Sequence, residues 1–332
     1  MIIAFALVPV VLFLTCLYLL ESFKLVSRRL LAGCLVWGVV SAVICFFVNR
    51  FIGDYFQPGP DSLSRYVAPV TEEFFKMLLL VLLIIRQKIG FMIDASIYGF
   101  AIGTGFALAE NSWYFLQLGS DFHAVLAIVR GFGTALMHGG TVALCAVVFI
   151  EGAQRGRGLY GALLGLGAAI ILHGTFNHFI LNPLIQTLLI ISLLPLAFYL
   201  VFIWANKHLR QWLEVEFSSE VDMLGMMRRG QFRDTKAGNY LASMREHFPP
   251  EALVDMYCFF SLYLELSIKA KRNMLLKESG YPPIVEGDIK DKLAEFRQLR
   301  RQIGKAGEMS LMPLVRMDYR QLWKLNQWES SR

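Results

Sequence analysis

Apolar runs of bilayer-crossing length fill the chain before residue 206 and constrain its fold more than any other feature. The hydrocarbon core of a bilayer takes ~20 helical residues, and seven runs near that length fall at 2–20, 30–48, 67–85, 91–116, 124–150, 159–181 and 184–205. The fold class they predict is all-α: a polytopic membrane protein with about seven transmembrane helices. The composition then changes. Residues 206–332 carry apolar residues at helical spacing among charged ones, over 252–276 and 289–303, with Gly280-Tyr281-Pro282-Pro283 as a break. The expected organisation is a helical bundle over 1–205 and a small cytoplasmic α-helical domain over 206–332. The aromatic run Tyr257, Phe259, Phe260 and Tyr263 reads as the core of that domain.

Seven spans alternate, and the basic residues orient them. Lys24, Arg28 and Arg29 follow the first run, Arg86 and Lys88 the third, Arg155 and Arg157 the fifth, and Lys207 and Arg210 the seventh. The opposite loops hold Asp54, Asp61 and Asp121 with only Arg50 and Arg65. The positive-inside rule therefore predicts an extracytoplasmic N-terminus and a cytoplasmic C-terminal domain. The first run reads as a span and not a cleaved signal, being uncharged at its start and longer than a signal's apolar core.

The net charge of +6 follows from positive-inside loops and a basic tail beside anionic lipid, and no dense basic tract points to nucleic acid. Of five cysteines, Cys16, Cys34, Cys45 and Cys145 lie in predicted spans and Cys258 in the tail, which gives no disulfide framework and no CxxC metal site. Residues 49–65, with Gln57-Pro58-Gly59-Pro60, read as a turn-rich outer loop.

Within the spans, ionisable residues are costly: each runs to ~2.5–3.5 kcal/mol at the bilayer centre even on a lenient scale. Glu72, Glu73 and Lys76 nevertheless head the third run within one helical turn, so that the lysine can neutralise one carboxylate and leave the other for chemistry. The fourth run carries Gly99, Gly103 and Gly105 and, later, Glu110 and Asn111; Asp94 near its inner end is expected to snorkel to the interface. Along the fifth, Arg130, Thr134 and His138 are spaced i, i+4, i+8 as one polar stripe. The sixth pairs His173 with Asn177, preceded by Gly161, Gly165 and Gly167 for close packing, while His178 decorates the interface.

These polar residues fall at compatible depths on four consecutive helices. A paired buried carboxylate has one member pushed toward protonation, which makes a glutamate a usable general base near neutral pH. Two histidines and an asparagine then offer either metal ligands, since a His/His/Glu set matches open catalytic zinc sites, or donors aimed at an oxyanion. Either suits hydrolysis of an amide by an activated water.

The series Pro69-x-x-Glu72-Glu73-x-x-Lys76, Phe106-x-x-x-Glu110-Asn111, Arg130 through His138, and His173-x-x-x-Asn177 resembles the motifs of the PrsW family. These are multi-pass intramembrane proteases related to the CAAX prenyl endopeptidases. The resemblance covers roughly residues 67–180. It implies a protease in a prokaryotic cytoplasmic membrane that cleaves membrane-anchored proteins, such as anti-sigma factors, near the extracytoplasmic side. By position it makes Glu72 and Glu73 the source of the water-activating base, His138 and His173 metal ligands or transition-state stabilisers, and Asn177 their partner. Lys76, Glu110, Asn111 and Arg130 support them; Glu110 matches the second motif and would bind metal, substrate or a histidine, the first of these giving a His138, His173, Glu110 metal set. The implied cofactor is one divalent metal ion, zinc by donor type, with metal-free glutamate-type hydrolysis as the other form. Glu110 stands where the prenyl endopeptidases have a histidine, which argues against carrying over their detailed mechanism or lipidated substrates, and Lys76 stands where they have an arginine, which favours the PrsW branch.

Two other readings use the same residues. A proton- or ion-coupled transporter lines a cavity with Glu, His, Lys and Arg, but normally shows two related halves, and no internal repeat is visible. A non-catalytic membrane receptor or scaffold would signal through the tail, which on any reading is where a regulatory protein would dock.

Overall fold

The computed structural model describes residues 2–315 apart from Ser22, Lys24 and Val285; Lys24, one of the orienting basic residues, and positions 316–332 of the tail lie outside the described residues. The helices are α1 (Ile2–Leu20), α2 (Arg28–Phe56), the single turn α3 (Pro60–Ser62), α4 (Ala68–Ile85), α5 (Met92–Leu118), α6 (Ala124–Ile128), α7 (Ala135–Gln154), α8 (Gly158–Asn177), α9 (Pro183–Arg228), α10 (Lys236–Ser243), α11 (Pro250–Glu278) and α12 (Ile289–Val315). No strand occurs among the described residues. Two π-helical turns, Leu63–Val67 and Val129–Thr134, lead directly into α4 and α7.

Six helices are long and apolar enough to span a membrane: α1, α2, α5, α8, α9 and the continuous Ala124–Gln154 rod that contains α7. The seventh expected span is α4, a helix of 18 residues whose three charged side chains set it apart from the others. The protein is a polytopic all-α membrane protein. Its lipid-facing surface is apolar, as on α1 (Leu12), α2 (Val36) and α9 (Leu188), which are all exposed. In a solvent as apolar as leucine, packing selects small residues and polar contacts, and hydrophobicity does not distinguish inside from outside.

The chain divides into two compact units, Met1–Asn206 and Lys207–Arg332. In the first, α5 is the central helix: every residue from 92 to 107 is buried. Its glycines permit this. A Cβ on Gly103 would stand 2.2 Å from His138 O on α7, and one on Gly105 would stand 2.0 Å from Leu35 O on α2. On α8, Gly161 and Gly165 meet α7 in the same way, whereas Gly167 faces open space and takes no part in packing.

Several expectations are corrected. Residues 49–65 are not an open loop: α2 continues to Phe56 and helix resumes at Pro60, leaving only 57–59 irregular. Arg50–Asp54 and Arg65–Asp61 pairs at i,i+4 spacing prolong the helices, and Gln57 ends α2 in the left-handed region at φ 48°. The sixth helix stops at Asn177, with Phe179 at φ 45° just beyond, and the seventh runs on to Arg228 because an amphipathic pattern continues the helix past its apolar part. Asp94 does not snorkel. It is fully buried and accepts hydrogen bonds from the backbone N–H groups of Gly90 (2.9 Å), Phe91 (2.8 Å) and Ala95 (3.0 Å), capping the start of α5.

In the second unit, Phe259 stacks on Phe296 at 4.5 Å, and Phe260, Tyr263, Phe232 and Met256 complete an apolar core. The aromatic run is core, as its helical spacing predicts. Lys271, fully buried, is held by Glu216 (3.0 Å) and Glu220 (2.8 Å), and α12 turns at Gly304, φ 63°.

Candidate active site

Glu72, Glu73, Lys76, Glu110, His138 and His173 converge at one end of the bundle, where α4 and α7 begin and α5 and α8 finish. Antiparallel neighbours of similar length make this unavoidable: residues early in α4 (Glu72, Glu73, Lys76) and α7 (His138) share a level with those late in α5 (Glu110) and α8 (His173). Glu73, Lys76, His138 and His173 are buried to within 2% of completely.

Glu73 is the most heavily used acceptor. Its Oε1 receives Lys76 Nζ at 2.9 Å, the Nδ1–H of His173 at 2.8 Å and the Thr141 hydroxyl at 3.3 Å. Three donors on one oxygen fix the carboxylate and leave that oxygen little capacity to take a further proton. Glu72 is the contrast. Its Oε2 is buried and has no hydrogen-bond partner among the described residues, while Lys76 Nζ at 3.7 Å and His173 Nε2 at 3.8 Å are its nearest charged or ring groups.

The histidines are oriented by carboxylates. In the neutral ring, a hydrogen bond from His173 Nδ1–H to Glu73 leaves the lone pair on Nε2, which lies 3.8 Å from Glu72 Oε2. His138 Nε2 lies 3.0 Å from Glu110 Oε2, its Nδ1 lies 2.9 Å from Lys76 Nζ, and the two rings meet edge to face with centroids 4.8 Å apart. One donor atom each from Glu72, His138 and His173 falls within 4.8 Å of the others. An unpartnered buried carboxylate oxygen beside two imidazoles fits a divalent metal, and the donor types suit zinc. This group differs from the expected one in one member: Glu72 offers the carboxylate, while Glu110 Oε2 lies against His138 Nε2 as an orienting acceptor.

Glu110 is also bound by Arg130 at 3.0 Å, and Arg130 lies over the Tyr114 ring at 3.7 Å and donates to Asn111 Oδ1 at 2.9 Å. Asn111 is therefore a structural tie: its amide also donates to Ala6 O at 2.8 Å. Arg130 and His138 reach the same Glu110 oxygen through the π-helical turn. Eight α-helical steps advance ~800°, about 80° off one face, and the extra residue of a π turn brings the pair back to within ~20°. Thr134 is buried in the same turn.

Asn177 is not brought to the site. Its amide donates to Ser64 O at 2.9 Å, tying the end of α8 to the π turn before α4. His178 packs edge-on against Tyr66 near the same end. Thr141 was missed by the sequence reading, although it follows His138 at i+3 and so shares its helix face. Phe106, in contrast, has its ring centroid 3.9 Å from Lys76 Nζ.

Comparison with known proteins agrees with this geometry. The PrsW family intramembrane metalloproteases match residues 26–205, which contain the whole cluster. No curated protein and no solved structure matches the chain. Residues 26–205 are more than half of its length, and the chain belongs to the PrsW family of intramembrane metalloproteases.

Proposed function

We propose that the protein hydrolyses peptide bonds of membrane-anchored proteins, anti-sigma-factor-like in kind, with Glu72 as the general base and His138 and His173 as metal ligands. One observation carries the assignment of the base: of the two adjacent glutamates, Glu73 is pinned through Oε1 by Lys76, His173 and Thr141, while Glu72 Oε2 is buried without a hydrogen-bond partner. A carboxylate has two oxygens, so Glu72 can complete the ligand set through one and receive a water proton on the other. Glu72, His138 and His173 would hold a divalent ion, which would supply Lewis-acid polarisation of the scissile carbonyl.

The chain's own residues do the rest. Glu73 and Glu110 hold His173 and His138 in the tautomers and orientations described above. Arg130 and Asn111 hold Glu110 in place. Near-complete burial keeps bulk water away from the base, so that the water that reacts must be one the site admits.

The site is read as extracytoplasmic in a prokaryotic cytoplasmic membrane, and the distribution of charge supports the side. The end where the cluster lies is joined by loops and helix ends holding Asp54, Asp61 and Asp121; Arg28, Arg29, Arg86, Lys88, Arg155 and Arg157 lie at the opposite end. By the same rule residues 207–332 face the cytoplasm, where they would dock a regulatory protein.

The test is cleavage and metal content together, on detergent-purified wild type, Glu72→Gln and His173→Ala, with single-span peptide substrates. The expected outcome is one zinc per wild-type chain, cleavage lost in both variants, and zinc lost in His173→Ala. Cleavage by wild type without metal would make the reaction glutamate-type hydrolysis. A wild type that cleaves no substrate, with variants that bind the same partners, would replace the protease reading by a scaffold.

A further inference from the structure

We infer that Lys76 is a resident cation that shares the ligand set with the metal ion: it holds the site together when the ion is absent and must leave His138 for the ion to bind. The inference rests on the metal reading above. The Lys76 side chain is completely buried, with Nζ 2.9 Å from Glu73 Oε1, 2.9 Å from His138 Nδ1, 3.7 Å from Glu72 Oε2 and 3.9 Å from the Phe106 ring centroid. It stands among the same atoms that would surround a metal.

Hydrogen-bond logic makes the two occupancies exclusive. An ammonium has three donors and no acceptor, so the ring nitrogen 2.9 Å away must accept. The proton of His138 is then on Nε2, where Glu110 Oε2 accepts it at 3.0 Å. Both nitrogens of His138 are thereby committed, one as a donor to Glu110 and the other as an acceptor from Lys76. His173 differs, for its Nε2 lone pair faces Glu72 with no hydrogen on it. A metal ligand needs that lone pair. An ion can take His173 and Glu72 as they stand, but it can take His138 only after the Lys76 contact breaks.

Nothing in the backbone opposes this. Lys76 carries its charge on a flexible four-carbon stem, so Nζ can stay on Glu73, over the Phe106 ring, while giving up His138. Glu110 need not move, because Nε2–H remains its donor and the freed Nδ1 becomes the ligand atom. Each histidine would then have a carboxylate on one nitrogen and the metal on the other, as second-shell carboxylates commonly arrange.

The consequence separates this role from plain structural support. Removing the ammonium strips two buried carboxylates of a cation, which weakens the metal-free protein, yet it frees His138 and removes a like charge from the ion's surroundings, which strengthens metal binding. A lysine that only braced the helices would, on removal, weaken both.

The experiment compares full-length wild type, Lys76→Met and Lys76→Arg in detergent, measuring zinc affinity by competition with a chromophoric chelator, and thermal unfolding with and without zinc. Lys76→Met is expected to bind zinc about ten- to a hundredfold more tightly, the worth of one buried charged hydrogen bond, while its metal-free form unfolds at lower temperature. Lys76→Arg keeps the cation and binds no more tightly than wild type. If metal-free Lys76→Met does not survive purification, the zinc-loaded protein is used and slower zinc release to excess chelator is the expected result. Wild type that binds one zinc and a Lys76→Met variant that binds it equally or more weakly, or releases it faster, overturns the inference and leaves the metal site standing. Absence of zinc from every variant overturns both.

Discussion

Glu73 Oε1 and His173 Nδ1 lie 2.8 Å apart, a contact between α4 and α8 that joins residues one hundred positions apart and determines which nitrogen of His173 faces the site. Glu73→Gln keeps the shape and removes the charge. Lys76 then loses its nearest carboxylate inside the bundle, for an expected cost of ~3–5 kcal/mol, and zinc affinity falls ~10–100-fold as His173 loses its orienting anion. Zinc titration and thermal unfolding of the purified variant check both figures.

Gly103 sets the distance between α5 and α7 at the level of the histidine. In Gly103→Ala the new methyl would meet His138 O at 2.2 Å, so α7 must shift. The expected cost is ~1–3 kcal/mol of stability, with loss of cleavage because His138 moves with its backbone. Gly167→Ala is the matched control: nothing lies within 4 Å of the new methyl, and melting temperature and cleavage should both be retained.

Asn177→Ala distinguishes a tie from a ligand. Its amide reaches Ser64 O and none of the site's donor atoms, so zinc affinity should be unchanged while stability falls by ~0.5–1.5 kcal/mol. A variant that lost its zinc would instead place Asn177 in the coordination sphere.

Acid and base should loosen the second unit between α11 and α12 in opposite ways. Lys292 bonds both Glu265 and Asp288, and Lys269 adds Glu286. Burial raises the Glu265 carboxyl, but hydrogen bonds from Lys292 and Lys269 prevail and hold it below the usual range; similar bonds lower Glu286 and Asp288. The hydrogen bonds that Lys292 donates to Asp288 and Glu265 raise it. The lowered acids stabilise fully above the ordinary carboxylate range near ~4 and lose that contribution as pH falls through their folded values. The raised lysine stabilises fully below its ordinary value near ~10.4 and loses that only as pH rises beyond it. Limited proteolysis within 279–288 should therefore accelerate below pH ~4, stay level across neutrality, and rise again only in strong alkali.

The amino-acid sequence by itself determined the membrane class, the helical architecture and the charged and histidine members of the cluster. Apolar runs and costly intramembrane charges are local signals, and the price of burying Glu72, Glu73, Lys76, Glu110, His138 and His173 marks them without any knowledge of the fold. Helix ends were less legible, since charge pairs such as Arg50–Asp54 extend a helix past the apolar part that hydropathy detects. Asp94 was misplaced for a related reason: a carboxylate near a helix start can snorkel or cap, and only the backbone amides of Gly90 and Phe91 decide which. The tertiary structure alone decided the division of labour. Adjacent positions in sequence say nothing of which glutamate three donors will saturate, and i,i+4 spacing does not tell that Asn177 turns to Ser64 while His173 turns to Glu73. Those outcomes depend on how α4, α7 and α8 meet, at distances set by glycines on neighbouring helices, and hydrogen bonds of 2.8 to 3.0 Å do not survive a small change in that spacing.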